Sequence, residues 1–338
     1  VIYLHIGRNK AGSTTIQDFC LRNLDVLEQN GIRYALYSHL KDSVPGVLGF
    51  QHQLDLKDYA HAHPDVNILI SHEWLFNLEE IHIESVTAAL RGLPVKIIAF
   101  IRPYHSWVCS SYAQDIRSGE SRSDFDVYFE SLRPRFAVWP CLQRWGQRVG
   151  WDRMIVRLID RQNTPWERIT EDFLTAIDLK PDIGVPVPAS NQGTHWAITE
   201  LLRALAGSEI GPGETQALVN VLQKSLQANP DVVPDMQYLT QAQGQELAEI
   251  YADDIARINA FTGAGLAPER LPVLPRRPFL PAFRHLPQAL LVDFAARAGA
   301  EDFMSIHPEA AAAALRLGVA RQPFGARLRA MASAVRRR

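Results

Sequence analysis

The 338-residue sequence has only three cysteines and four methionines, and its 35 Lys and Arg nearly balance 37 Asp and Glu, for a net charge of -2. Cys20, Cys109 and Cys141 are odd in number and widely spaced in helical-looking segments, which argues against a disulfide framework and fits a reducing compartment. The charge balance gives no global drive towards nucleic acid, so any phosphate chemistry must come from a local site. No run reaches the roughly 20 apolar residues needed to span a bilayer. No repeat is evident, and Val1 opens directly on a strand with no charged and apolar leader. These features together give the expectation of a cytoplasmic protein.

What is present is a chain that is 47% hydrophobic, enough for a substantial core. Val1 to Ile6 is a short β-branched run. It is followed by a loop of small polar residues, Gly7 to Thr15, and then by Ile16, Phe19, Cys20, Leu24 and Leu27 at helical spacing up to Asn30-Gly31. The unit reads strand, loop, helix. Ile32 to Tyr37 is a second strand candidate. Asn67 to Ser71 and Val95 to Ile101 are apolar without alternation, as expected of strands buried on both faces of a parallel sheet. Helical patterns cover Ile81 to Leu90 and Ser106 to Arg117. Met154 to Leu158 reads as another strand, and a helix with Pro165 in its first turn follows it. This alternation predicts an α/β three-layer α/β/α sandwich with a central parallel sheet, a P-loop-like phosphate-binding loop and a mainly helical C-terminal region. Residues 1–262 are expected to form the catalytic domain, and 263–338 a linker and a helical, basic extension. Ala310 to Arg338 lacks acidic residues. It reads either as a solvated tail or as a peripheral contact with an anionic inner-membrane surface.

The loop Gly7-Arg8-Asn9-Lys10-Ala11-Gly12-Ser13-Thr14-Thr15 sets two glycines five residues apart between a buried strand and a helix N-terminus, where free N–H groups and the helix dipole favour an anion. It departs from a Walker A loop because the lysine lies two places before the second glycine and Ser13 follows that glycine. The central strand then runs into Arg102 where a metal-binding nucleotidase has a carboxylate. Ser110 follows Arg102 by eight residues, and Tyr112 and Gln114 follow Ser110. Loop and Arg-Ser pair read as two anion sites of one nucleotide.

The stretches His5 to Thr15 and Arg102 to Gln114 resemble the 5′-phosphosulfate loop, K-[TS]-G-[TS]-[TS], and the 3′-phosphate element of sulfotransferases that use 3′-phosphoadenosine-5′-phosphosulfate (PAPS). The carbohydrate-modifying members are the most similar. Asn191-Gln192 is similar to a downstream segment of bacterial members. Ala11 stands where the family has Thr or Ser, which removes one hydroxyl contact. The resemblance implies that Lys10, Ala11, Gly12, Ser13, Thr14 and Thr15 hold the 5′-phosphosulfate and that Arg102 and Ser110 hold the 3′-phosphate. It also implies PAPS as co-substrate, PAP as product, a carbohydrate or glycolipid acceptor and no required metal. Glu73 or His72, at the end of the strand Asn67 to Ser71, is the expected general base. His5 is a lesser candidate for that role. Trp74, Phe76 and Trp107 are candidates to line an acceptor cleft, and Arg8 either meets an anionic acceptor or projects from the loop. Two rival readings stay open: a P-loop kinase that needs ATP and Mg²⁺, and a catalytically silent nucleotide-binding protein on the same fold.

Overall fold

The structure is a computed structural model that describes residues 1–35, 61–132, 137–159, 166–184, 195–205, 219–220, 223 and 238–263. Five parallel strands form one sheet in the order β2-β3-β1-β4-β5. They are β1 (Ile2–His5), β2 (Ile32–Tyr34), β3 (Asn67–Ser71), β4 (Val95–Ile101) and β5 (Met154–Leu158). The predicted runs at β3, β4 and β5 match these bounds; β3 and β4 carry buried apolar residues on both faces, as central parallel strands do, whereas β5, at the sheet edge, is buried only at Met154 and Val156.

Side chains alternate between the two faces. Tyr3, Leu69, Ile98 and Phe100 join one core with Ile16, Phe19 and Cys20 of α1 (Ser13–Arg22), Leu27 of α2 (Leu24–Gln29) and Ile169, Phe173 and Leu174 of α7 (Trp166–Ala176). On the opposite face lie Leu4, Ile68, Ile70, Ile97 and Ala99. There α6 (Trp139–Val149) packs on β4, and α3 (Glu80–Ala89) packs on α6. Sheet and flanking helices form the expected α/β architecture.

The single amphipathic helix expected from Ile16 to Leu27 is two helices. Its break is at Asn23, whose Nδ2 donates to the carbonyl of Phe19 at 2.9 Å and so competes with the helical ladder. The chain divides into two compact units. The sheet unit comprises Val1–Trp107, Arg135–Gln192 and Gln245–Glu269. The second comprises, among the described residues, 108–132, 195–205, 219–220, 223 and 238–244. The helix α4 (Tyr104–Ser118) starts in the first and continues in the second.

Within the second unit, Tyr112 lies edge-on to Phe125 and Tyr128 of α5 (Phe125–Leu132) and to Tyr238. Its hydroxyl meets buried Glu200 of α8 (Trp196–Leu205) at 3.2 Å, and Glu200 also pairs with Arg203. The described chain ends in α9 (Gln241–Ile250) and α10 (Ala252–Thr262). The basic segment Ala310 to Arg338 and Asn191-Gln192 lie outside the described residues.

Candidate active site

The connection after β1 leads towards β2 on one side of the sheet, and the connection after β4 leads towards β5 on the other. Ligands of open α/β sheets bind at such a reversal, beyond the carboxyl ends of the strands. The loop Gly7–Gly12 and Arg102 both sit there.

Main-chain bonds fix the loop. Arg8 N donates to Phe100 O at 3.3 Å and Ala11 N to Arg8 O at 3.1 Å. Lys10, at φ 63°, and Gly12, at φ 82°, are both left-handed. For lysine this conformation is uncommon, a strain that accumulates at functional sites. Gly12 is the N-cap of α1 and supplies no side-chain cap, so the first-turn N–H groups are left for another acceptor. A Cβ on Gly12 would fall 2.9 Å from Ile159 Cδ1. The second glycine thus meets both a conformational and a packing demand.

Arg102 closes the other side. Its Nη1 donates to Lys10 O at 3.2 Å and its Nε to the Ser106 hydroxyl, which fixes the guanidinium beside the loop. Ser106, one turn before Ser110 in sequence, is a partner that sequence reasoning missed. Ser110 falls in the second unit, where it is half-buried on α4. Ala11 is fully buried and Ser13 and Thr15 are nearly so, whereas Thr14 is exposed.

Arg8 neither projects nor faces solvent, contrary to one expectation: it is 4% exposed, and its guanidinium carbon lies 3.8 Å from the centroid of the Trp107 ring. Burial pulls its pKa down to about 10 while Tyr104, Cys141, Asp254 and Tyr251 oppose the shift, so it stays charged at neutral pH. Trp107 in turn donates from Nε1 to Asn9 O at 2.9 Å. Tyr104 stacks on Tyr251 with centroids 4.5 Å apart and bonds Asp254. Asp254 accepts from the N–H groups of Val138 and Trp139 at 3.0 and 2.9 Å, capping α6. No local pattern marks Asp254.

The segment after β3 brings a carboxylate to the loop: Ser13 Oγ donates to Glu73 Oε2 at 2.8 Å. Glu73 starts a 3₁₀ turn, Glu73–Asn77, that is pinned from inside by buried Leu75 and Phe76 and by a 3.0 Å bond from Trp145 Nε1 to Leu75 O. Phe76 is 1% exposed and therefore belongs to the core, not to a cleft; Trp107 lies under Arg8, and Trp74 is 65% exposed. His72 Nδ1 accepts from Trp74 N at 3.3 Å, and burial lowers the His72 pKa although Glu73 opposes this. An accepting Nδ1 leaves the ring proton on Nε2 in the neutral imidazole.

His5 lies beneath both segments. It is fully buried, its Nδ1 sits 2.7 Å from Ser71 Oγ, and its ring meets Phe100 and Phe173 edge-on. Burial pulls its pKa to about 3. Ser71 also receives Gln17 Nε2 at 3.4 Å, and His72 N donates to His5 O at 2.9 Å. Strand β1, strand β3 and helix α1 are therefore tied together under the site. Among the described residues, no group of three or more His, Cys, Asp or Glu side chains is placed to hold a metal ion.

In structure the chain is similar to a sulfotransferase from Alicyclobacillus acidocaldarius, at 13% identity and a TM-score of 0.47 over 80% of this chain and 98% of that one. No protein-family model and no curated protein sequence matches.

Proposed function

We propose that the protein is a sulfotransferase that moves the sulfuryl group of PAPS to a hydroxyl of a carbohydrate or glycolipid. The observation that carries this reading is the bond from Arg102 to the carbonyl of Lys10 at the sheet's reversal point. A guanidinium, whose fork matches phosphate oxygens, stands there beside an anion cradle.

In this reading the uncapped first turn of α1 holds the 5′-phosphate through N–H groups of Gly12 to Thr15, with Ala11 buried behind them. Arg102 takes the ribose 3′-phosphate, a group that ATP lacks. The acceptor oxygen attacks sulfur, the bond from sulfur to the bridging phosphate oxygen breaks, and PAP departs with that electron pair. Lys10 donates a hydrogen bond to the leaving oxygen, where charge develops. The acceptor's proton goes to a carboxylate, and Glu73 is preferred over His72 because it touches the loop while His72 Nδ1 is already an acceptor from Trp74 N. Exposed Trp74, next in sequence, offers a flat face suited to a sugar ring.

Calorimetric titration with PAP, AMP and ATP, each with and without Mg²⁺, tests the donor without knowledge of the acceptor. Tight PAP binding without Mg²⁺ supports the reading. Preference for Mg²⁺-ATP identifies a kinase, and the absence of nucleotide binding rejects both. In turnover assays, Glu73→Gln is expected to abolish transfer while PAP still binds; a near-normal rate removes Glu73 as base.

A further inference from the structure

We propose that the Ser13 hydroxyl is shared between donor and base, so that binding of PAPS draws it from Glu73 and frees that carboxylate for the acceptor. The inference rests on the sulfotransferase reading above and adds an order of events to it. A serine hydroxyl has one proton to donate. Here it is given to Glu73 Oε2 at 2.8 Å. Ser13 is also the first residue of α1, directly after left-handed Gly12, and no side chain caps that helix. Its oxygen therefore starts the turn in which a 5′-phosphate is to be held. Phosphate and carboxylate compete for one proton.

The turn that carries Glu73 does not depend on Ser13 for its place. Leu75 and Phe76 are buried, Trp145 holds Leu75 O at 3.0 Å and His72 caps the turn, so the backbone of Glu73 stays where it is when Ser13 turns away. After that turn, the Glu73 oxygen that held the serine is open to the acceptor hydroxyl. Without a donor molecule, the carboxylate is occupied. The site is thereby biased to bind donor first.

The test is a double-mutant cycle on PAP binding by calorimetry, using the full chain as wild type, Ser13→Ala, Glu73→Gln and both together, at one salt concentration. Glu73→Gln weakens the competitor and removes a negative charge. With Ser13 present it is expected to tighten PAP about tenfold, the order of one charge-assisted hydrogen bond. With Ser13→Ala, only relief of charge repulsion remains, and the gain is expected to fall to about threefold or less at ordinary ionic strength. An equal gain in the two backgrounds overturns the sharing of Ser13 while leaving the donor assignment intact. A wild type that fails to bind PAP overturns the donor assignment and this inference with it.

Discussion

Arg102, at the end of β4, donates from Nη1 to the main-chain oxygen of Lys10 at 3.2 Å, joining two segments 92 residues apart in sequence. Its Nε is held by Ser106 at the start of α4. The guanidinium thus serves both as a brace for the loop and as the proposed partner of the ribose 3′-phosphate. Arg102→Ala is expected to weaken PAP binding at least about tenfold, the cost of losing a charge-assisted pair. Arg102→Lys restores charge without the fork and is expected to recover only part of it. Calorimetry on the three proteins checks both steps, and full recovery by lysine would show that charge alone matters.

A Cβ on Gly7 would lie 2.5 Å from His5 Nε2 and 2.8 Å from His5 Cε1. The ring has little room to retreat, since Phe100 and Phe173 meet it edge-on with centroids 5.7 and 5.8 Å away. Gly7→Ala is therefore expected to cost about 1–3 kcal/mol by overpacking. His5→Ala in that background should return part of the loss, a non-additivity that denaturant unfolding of the single and double variants will read.

The buried imidazole also makes stability depend on pH. Burial holds the folded-state pKa of His5 near 3, below its ordinary 6.5. Below pH 6.5 the unfolded chain takes up a proton that the folded chain refuses, so stability present above 6.5 is lost progressively as pH falls towards 3. The slope from this group is at most about 1.4 kcal/mol per pH unit. His5→Asn is expected to flatten the stability curve between about pH 6 and 4, in the range of about two pH units below the histidine's ordinary value. A slope unchanged from wild type would place the acid sensitivity elsewhere.

Asp254 satisfies Tyr104 and the N–H groups of Val138 and Trp139 together. Asp254→Ala leaves all three without this acceptor and is expected to destabilise by about 2–4 kcal/mol, combining a lost helix cap with an orphaned hydroxyl. Asp254→Asn keeps an acceptor oxygen and should cost less. Thermal and denaturant midpoints for the two variants give the comparison.

Arg8 and Trp107 supply a further test. The guanidinium rests on the indole at 3.8 Å, and the indole N–H holds Asn9 O inside the loop. Trp107→Phe keeps an aromatic face but loses the donor. Weaker PAP binding with little change in thermal midpoint is expected; unchanged binding would show that the Asn9 contact does not shape the cradle.

Much of the fold is legible in the amino-acid sequence. Asn67 to Ser71 and Val95 to Ile101 announce buried parallel strands because mainly apolar runs without alternation suit strands covered on both faces, and Met154 to Leu158 reads as another short strand. The loop's second glycine announces a tight turn into the helix, and Gly12 is left-handed there. The break at Asn23 is not legible, because a side-chain bond to Phe19 O overrides a hydrophobic period that continues through it. Trp107 and Phe76 look like cleft candidates in the sequence for a related reason: composition does not reveal which face of an element a neighbour covers.

The sequence by itself determined the strand-loop-helix units and the parallel sheet, because backbone preferences and hydrophobic periods act over a few residues. Only the tertiary structure decided that Ser13 gives its proton to Glu73, 60 residues on, and that Trp107 holds Asn9, 98 residues before it. It also decided that Tyr104 meets Asp254, 150 residues on, and that Arg8 turns inward. Such pairings follow from where the sheet brings strand ends and helix starts together, and no local pattern encodes a contact made by packing.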